Sequence, residues 1–327
     1  MARIPRFTRH DQPTVYHIMS RTALDGFPLQ DTEKDYLMAT VAKLCKIYFV
    51  DLLGFCLMGN HFHLVVRVNP SDRLTNEDIA KRYKLLYGQE ARLIPCQIED
   101  FRNRLTSLGA FVKDIKQGFT KYYNKRKRRW GTFWGERFKS VIVQEGETLV
   151  NLLAYVDLNP IRAGIVDKPE DYRWNTLGYL VQRGNKDGLI DLNLGMHEWN
   201  EFATSEIIRK YRKFVYETGA VWGRSQESGD RSQESEVRSQ EGGKRGIDMK
   251  IVERERKKNY RLSRIDVFRH RCRYFSDSGI IGSKDFVSEV FDEVKHLLNS
   301  KNERRFTPVG GVEGVYSMKR LAGAAGG

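Results

Sequence analysis

Two apolar runs separated by Gly59-Asn60 constrain this chain more than any other stretch. Val50 to Leu57 precedes the pair and Leu64 to Val68 follows it. Gly-Asn between β-prone runs predicts a hairpin. Side chains alternate along a strand, so His61, His63, Val65 and Arg67 share one face, and Phe62, Leu64, Val66 and Val68 share the other. The second set suits a core. The first sets two imidazoles side by side at the mouth of a strand, a spacing that suits a divalent metal. The competing reading is a pair of surface or hydrogen-bonded histidines. Only 7 histidines occur in 327 residues, which makes two in one such pattern worth following.

The flanking sequence supplies the rest of a small α+β fold. Residues 14 to 22 are β-prone. Tyr36, Leu37, Thr40, Val41, Leu44, Cys45 and Tyr48 recur at helical spacing after the acidic start Asp31 to Asp35. Residues 76 to 87 are weakly helical. The apolar stripe Leu105, Leu108, Phe111, Val112, Ile115, Phe119 and Tyr122 predicts one long helix from Arg102 to Arg129. A strand follows from Arg137 to Val143, then a helix from Leu149 to Leu158 that stops before Pro160. The order βαββαβ is that of a ferredoxin-like antiparallel sheet backed by helices, with the histidine strand in mid-sheet. A helical extension is expected over residues 183–222. Arg-Ser-Gln-Glu recurs at 224, 231 and 238 with no apolar seam, which predicts a disordered linker over 223–248. A small, mostly helical C-terminal module is expected over 249–327, with a frayed Gly-rich end and DNA contacts from its basic residues 250 to 273.

Charge narrows the partner. The chain carries 56 Lys+Arg against 42 Asp+Glu, a net charge of +14. Such a surplus favours polyanions, nucleic acid first. No apolar run is long enough for a transmembrane helix, and the N-terminus lacks a signal-peptide core. The cysteines Cys45, Cys56, Cys96 and Cys272 have neither zinc-knuckle nor disulfide spacing. Reduced thiols, a cytoplasmic location and no membrane partner are the expectation. Between residues 101 and 140 lie twelve basic residues and two acidic ones, most of the chain's surplus. Tyr122, Tyr123, Trp130, Phe133, Trp134 and Phe138 are interleaved with them. Cations along a groove with rings for stacking suit single-stranded nucleic acid; a solvated helix face with core aromatics is the bland alternative.

A metal pair beside a nucleic-acid strip suggests phosphodiester chemistry, which requires a nucleophile. Tyr155 and Asn159 are i and i+4 on one helical face, while Leu149, Leu152, Leu153 and Val156 cover the core side. The Asn159 carbonyl oxygen is a hard ligand suited to Mg²⁺ or Mn²⁺. The bland readings are an amphipathic core tyrosine and a helix cap before Pro160.

Several segments, in order, resemble the single-tyrosine HUH transposases of the insertion-sequence 200-like type, in particular those associated with repetitive extragenic palindromes (REP). These are Tyr16-His17-Ile18-Met19-Ser20-Arg21, Cys56-Leu57-Met58-Gly59-Asn60-His61-Phe62-His63-Leu64, Gly131 to Ser140, and Tyr155-Val156-Asp157-Leu158-Asn159-Pro160-Ile161-Arg162-Ala163-Gly164. Proline is more usual in the family at Gly59, and residues 74 to 100 look like an insertion. The resemblance covers about residues 10 to 180 and implies a catalytic domain at 1–182. It implies Mg²⁺ or Mn²⁺ on His61 and His63 with Asn159 as third ligand. It implies Tyr155 as the nucleophile that forms a 5′-phosphotyrosine on single-stranded DNA beside a palindromic hairpin. Charge and position nominate Lys121, Arg126, Arg128, Arg129, Arg137 and Lys139 for DNA binding. A non-catalytic DNA hairpin-binding protein and a basic RNA-binding protein are the competing functions; monomer and homodimer both remain open.

Overall fold

Strand β1 (Thr14–Arg21) is the strand on which the first part of the sheet is assembled. It pairs antiparallel with β3 (His61–Val68) on one side and with β4 (Lys139–Val143) on the other. β2 (Val50–Leu57) closes the hairpin against β3. The order β2-β3-β1-β4, all antiparallel, is the ferredoxin-like arrangement expected from βαββαβ. The histidine strand is therefore internal, as expected. The structure is a computed structural model and describes residues 7–196, 202–219, 257, 274–298, 306–309 and 312–318.

Helices α1 (Asp31–Ile47) and α4 (Leu108–Arg126) pack together on the Phe62 face. Leu37, Val41, Leu44 and Ile47 form the buried stripe of α1. Phe62 meets Trp134, and Trp134 meets Phe119 of α4. Between them lie α2 (Asn76–Tyr87), opened by a Thr75–Asp78 capping box, and α3 (Ile98–Leu105). The long helix expected from Arg102 onward is thus two. The apolar stripe runs through both, so periodicity could not locate the break. Thr106 leaves helical geometry, and the Ser107 hydroxyl accepts from Ala110 N to begin α4.

The opposite face of the sheet is covered as well. Helices α5 (Glu147–Asp157), α6 (Asn159–Arg162), α7 (Thr176–Arg183) and α8 (Thr204–Gly219) follow β4. Gly54 sits opposite Val65 on the histidine face. A Cβ at Gly54 would stand 2.4 Å from Leu153 Cδ2 and 2.9 Å from Thr176 Oγ1, so glycine lets α5 and α7 lie directly on β2. Residues 171–174 tether that layer: Tyr172 Oη donates to Leu57 O at 2.6 Å, and Leu57 N donates to Trp174 O at 2.8 Å.

The described C-terminal residues extend the same sheet. Residues 274–277 form a helical turn, and β5 (Ile280–Gly282) runs parallel to β4. Helix α9 (Lys284–Val294) and strands β6 (Thr307–Pro308) and β7 (Tyr316–Ser317) complete the order β2-β3-β1-β4-β5-β7-β6. These strands are not expected from sequence, since strands of two or three residues leave no alternation to detect. The expected linker (223–248), the basic run 250 to 273 save residue 257, and most of the Gly-rich end lie outside the described residues.

Candidate metal and tyrosine site

Register sets the site. In the β1–β3 ladder Met19 opposes His63 and Arg21 opposes His61, while His17 opposes Val65. Opposed residues point to one face, so His17, two positions from Met19, is a diagonal neighbour of His63. The His17 and His63 rings are stacked with centroids 5.1 Å apart; His61 and His63 meet edge-on, also at 5.1 Å. In the turn before them Gly59 lets the exposed Phe27 ring lie close, since a Cβ there would be 2.7 Å from Phe27 Cδ1, and Leu29 N donates to Gly59 O at 2.9 Å.

The tyrosine helix docks on this face. The Tyr155 ring stands edge-on to His63 at 6.0 Å and to His17 at 6.1 Å. Its other neighbours come from far along the chain. Phe275 stacks on it at 5.5 Å, and Ser276 Oγ lies 3.3 Å from its hydroxyl. The Arg162 guanidinium sits 4.2 Å from the ring centroid and donates to Tyr155 O at 2.9 Å. His17, Arg162, Phe275 and Ser276 were not singled out as site residues from sequence. His17 alternates with Val15 and Met19, but only the register brings it to His63.

All three histidines are held in the neutral form. Burial is the main cause, pushing His17 and His61 down to about 4 and His63 well below its ordinary value; Arg162 adds to the effect at His61 and His63. Neutral imidazole is the form that binds metal. A stability consequence follows for the metal-free chain. Between about pH 6.5 and 4 the unfolded chain binds protons that the folded chain refuses, so stability falls as pH falls through that window. For fully buried His17 the loss approaches about 3 kcal/mol, at about 1.4 kcal/mol per pH unit. Urea denaturation in EDTA at pH 7.5 and pH 5 measures it, and equal midpoints would contradict the neutral assignment.

Among the described residues no group of three His, Cys, Asp or Glu side chains forms a metal cluster. Among the described residues a further donor to a cation on His61 and His63 would be of another type, such as an amide oxygen. Asn159 has one, but its Oδ1 accepts from Arg162 Nη2, and its Nδ2 donates to Val156 O at 3.0 Å. An amide oxygen has two lone pairs, and Arg162 uses one. The amide oxygen is a hard donor of the kind Mg²⁺ and Mn²⁺ take, while imidazole nitrogen is the softer donor of the set.

The basic residues divide. Lys139 opposes Met19, which opposes His63, so all three share one row and one face. Two strand spacings set the Lys139 and His63 backbones about 10 Å apart. Lys139 Nζ is 3.0 Å from Asp277 Oδ1. Arg126 and Lys127 each lie 3.6 Å from Glu33. Arg129 is tied to Asn124 Oδ1 at 2.9 Å and Thr132 O at 3.1 Å. Lys121, Arg128 and Arg137 are exposed. The interleaved aromatics are mostly core: Tyr123, Phe133, Trp134 and Phe138 are buried, and Tyr122 stacks on Tyr36 at 3.6 Å. Trp130 alone of the six is exposed, at 89%. The picture of a strip of stacking rings is thereby corrected to a single ring, because the apolar stripe of α4 needs the others for packing.

Comparison with known proteins gives three likenesses. Residues 12–111 match the family described as "Transposase IS200 like". That region includes His17, His61 and His63 and stops short of α5. A Haemophilus influenzae protein carrying the name REP-associated tyrosine transposase is 23% identical over 155 residues, 45% of this chain and 74% of its own length. A solved REP-associated tyrosine transposase bound to a REP hairpin covers 56% of this chain and 87% of its own, with 14% identity and a TM-score of 0.41. The histidine strand, its partner strand and the hairpin all lie inside the region similar to the IS200-like transposase family.

Proposed function

We propose that this protein is a transposase that cleaves and rejoins single-stranded DNA beside palindromic hairpins, through a 5′-phosphotyrosine on Tyr155. The observation that carries the reading is the packing of the Tyr155 ring against the histidine face, 6.0 Å from His63. Tyr155 Oη loses its proton and forms a bond to phosphorus, the P–O3′ bond breaks, and the leaving oxygen takes up one proton to become a free 3′-OH, so the net proton balance is zero. The reverse attack by a 3′-OH restores a phosphodiester, so bond energy is conserved and no nucleotide cofactor is consumed. His61, His63 and Asn159 are the residues that would hold Mg²⁺ or Mn²⁺, which when bound polarises the scissile phosphate. Arg162, over the Tyr155 ring, supplies positive charge beside the tyrosine, which favours its phenolate form and an approaching phosphate.

The test uses labelled single-stranded palindromic oligonucleotides with Mn²⁺. A covalent protein–DNA adduct is expected, suppressed by EDTA and by His61→Ala or His63→Ala. Tight hairpin binding with no adduct on any substrate would instead favour the non-catalytic hairpin-binding reading, and equal affinity for unstructured RNA the RNA-binding one.

Trp130 is the ring available for an unpaired base. Asn124 Nδ2 donates to Gly131 O at 2.9 Å, and Arg129 bridges Asn124 and Thr132, so both flanks of the indole are pinned. Ala23 N donates to Phe133 O at 2.8 Å, next to the Arg21–His61 pair, so the loop stands at the His61 end of the sheet. A stacked base contributes ~1–3 kcal/mol. Trp130→Ala is expected to weaken binding of a hairpin with a single-stranded flank about tenfold or more, and binding of a blunt hairpin little. Equal losses on both would remove the stacking role.

A further inference from the structure

The relay His63–His17–Phe275 has a direction that hydrogen-bond chemistry determines. His17 Nδ1 lies 2.8 Å from the backbone carbonyl oxygen of Phe275. A carbonyl oxygen only accepts, so His17 Nδ1 carries the ring proton. His17 and His63 are both buried, and among the described residues no carboxylate hydrogen-bonds to either ring. A neutral ring protonated at Nδ1 has its lone pair on Nε2. His17 Nε2 lies 2.9 Å from His63 Nδ1, so His63 donates there. His63 Nε2 is left as the lone-pair atom. His61 reaches the same state independently, since its Nδ1 lies 2.7 Å from the Asn60 amide oxygen.

We propose that His17 is the positioning residue of the metal pair: it holds the proton of His63 on Nδ1 and so reserves His63 Nε2 for the cation. This rests on the reading of His61 and His63 as metal ligands. The physical reason is that a ligating imidazole whose other nitrogen is hydrogen-bonded is fixed in tautomer and orientation and becomes a better base; loss of such a partner weakens metal binding about 10–100-fold. His17 touches neither cation nor DNA in this role. Its acceptor is main-chain, from a residue 258 positions downstream, so the C-terminal segment completes the relay.

Three measurements on the full chain test this. Nitrogen-15 spectra of histidine-labelled, metal-free protein are expected to place the His63 proton on Nδ1. Calorimetric titration with Mn²⁺ alone is expected to give an affinity 10–100-fold weaker in His17→Phe, which keeps a flat ring and loses the acceptor. His17→Gln, whose amide oxygen can replace Nε2, is expected to recover most of the affinity. A His63 proton on Nε2 in the unmodified protein would overturn the proposal whether or not the variants fold. So would Mn²⁺ affinity unchanged in a folded His17→Phe. Absence of Mn²⁺ binding in the unmodified protein would remove the metal reading instead, with the spectra still deciding the tautomer.

Discussion

Tyr155→Phe is expected to reduce covalent adduct formation by at least about a thousandfold, to the floor of detection, since phenylalanine has no oxygen to form the phosphotyrosine bond. Phenylalanine keeps the ring that contacts His63, His17, Phe275 and Arg162, and loses only the oxygen 3.3 Å from Ser276. One part-buried hydrogen bond contributes about 1 kcal/mol, so the variant should melt within a few degrees of the unmodified chain. Hairpin affinity should change less than threefold. Denaturing gels with end-labelled DNA and a parallel filter-binding assay separate the two effects. An adduct in the variant would move the nucleophile elsewhere and leave Tyr155 a packing residue.

Arg67→Ala is expected to cost about 3 kcal/mol of stability. Arg67 stands on the histidine face of β3, four residues past His63. Its buried guanidinium gathers Glu145 at 2.6 Å, Asp191, Asp51 at 3.7 Å and the carbonyl of Asn193. These groups join β2, β3, the turn into α5 and the chain after α7. Removing one partner of a buried ion pair costs about 3–5 kcal/mol; the carboxylates here are about one-third to two-fifths exposed, which lowers the figure. Three carboxylates would then face one another across a void. Urea midpoints at pH 7.5 measure the loss, and a change under 1 kcal/mol would mean that water replaces the guanidinium freely. Because Glu145 and Gly146 lead directly into α5, adduct yield should fall with stability.

The hairpin was legible because alternation and a Gly-Asn turn are local. His61 and His63 had to share a face once that strand existed. The start of α2 at Asn76 and the body of α5 were legible for the same reason, since caps and apolar stripes act within one helix. Arg67 was not: it reads as a solvent-facing strand residue until the elements after β4 close over that face. Trp130 and Trp134 were indistinguishable four residues apart in a glycine-bounded loop. Burial assigned them, with Trp134 Nε1 donating to Lys116 O at 3.0 Å and Trp130 left outside.

By itself, then, the sequence determined the elements of the four-stranded half of the sheet apart from the α3–α4 break, their ferredoxin-like order, the two-imidazole face and the basic surplus around α4, all set by periodicity, turn chemistry and charge within short windows. Only the tertiary structure decided what meets the imidazoles. It brings Tyr155 to within 6.0 Å of His63, lays Arg162 on the tyrosine ring, and joins His63 through His17 to a carbonyl 258 residues beyond His17. Those contacts depend on strand register and on the close approach of α5 at Gly54. Register and helix docking are long-range packing outcomes, and no local pattern encodes which nitrogen of a histidine will be left to bind.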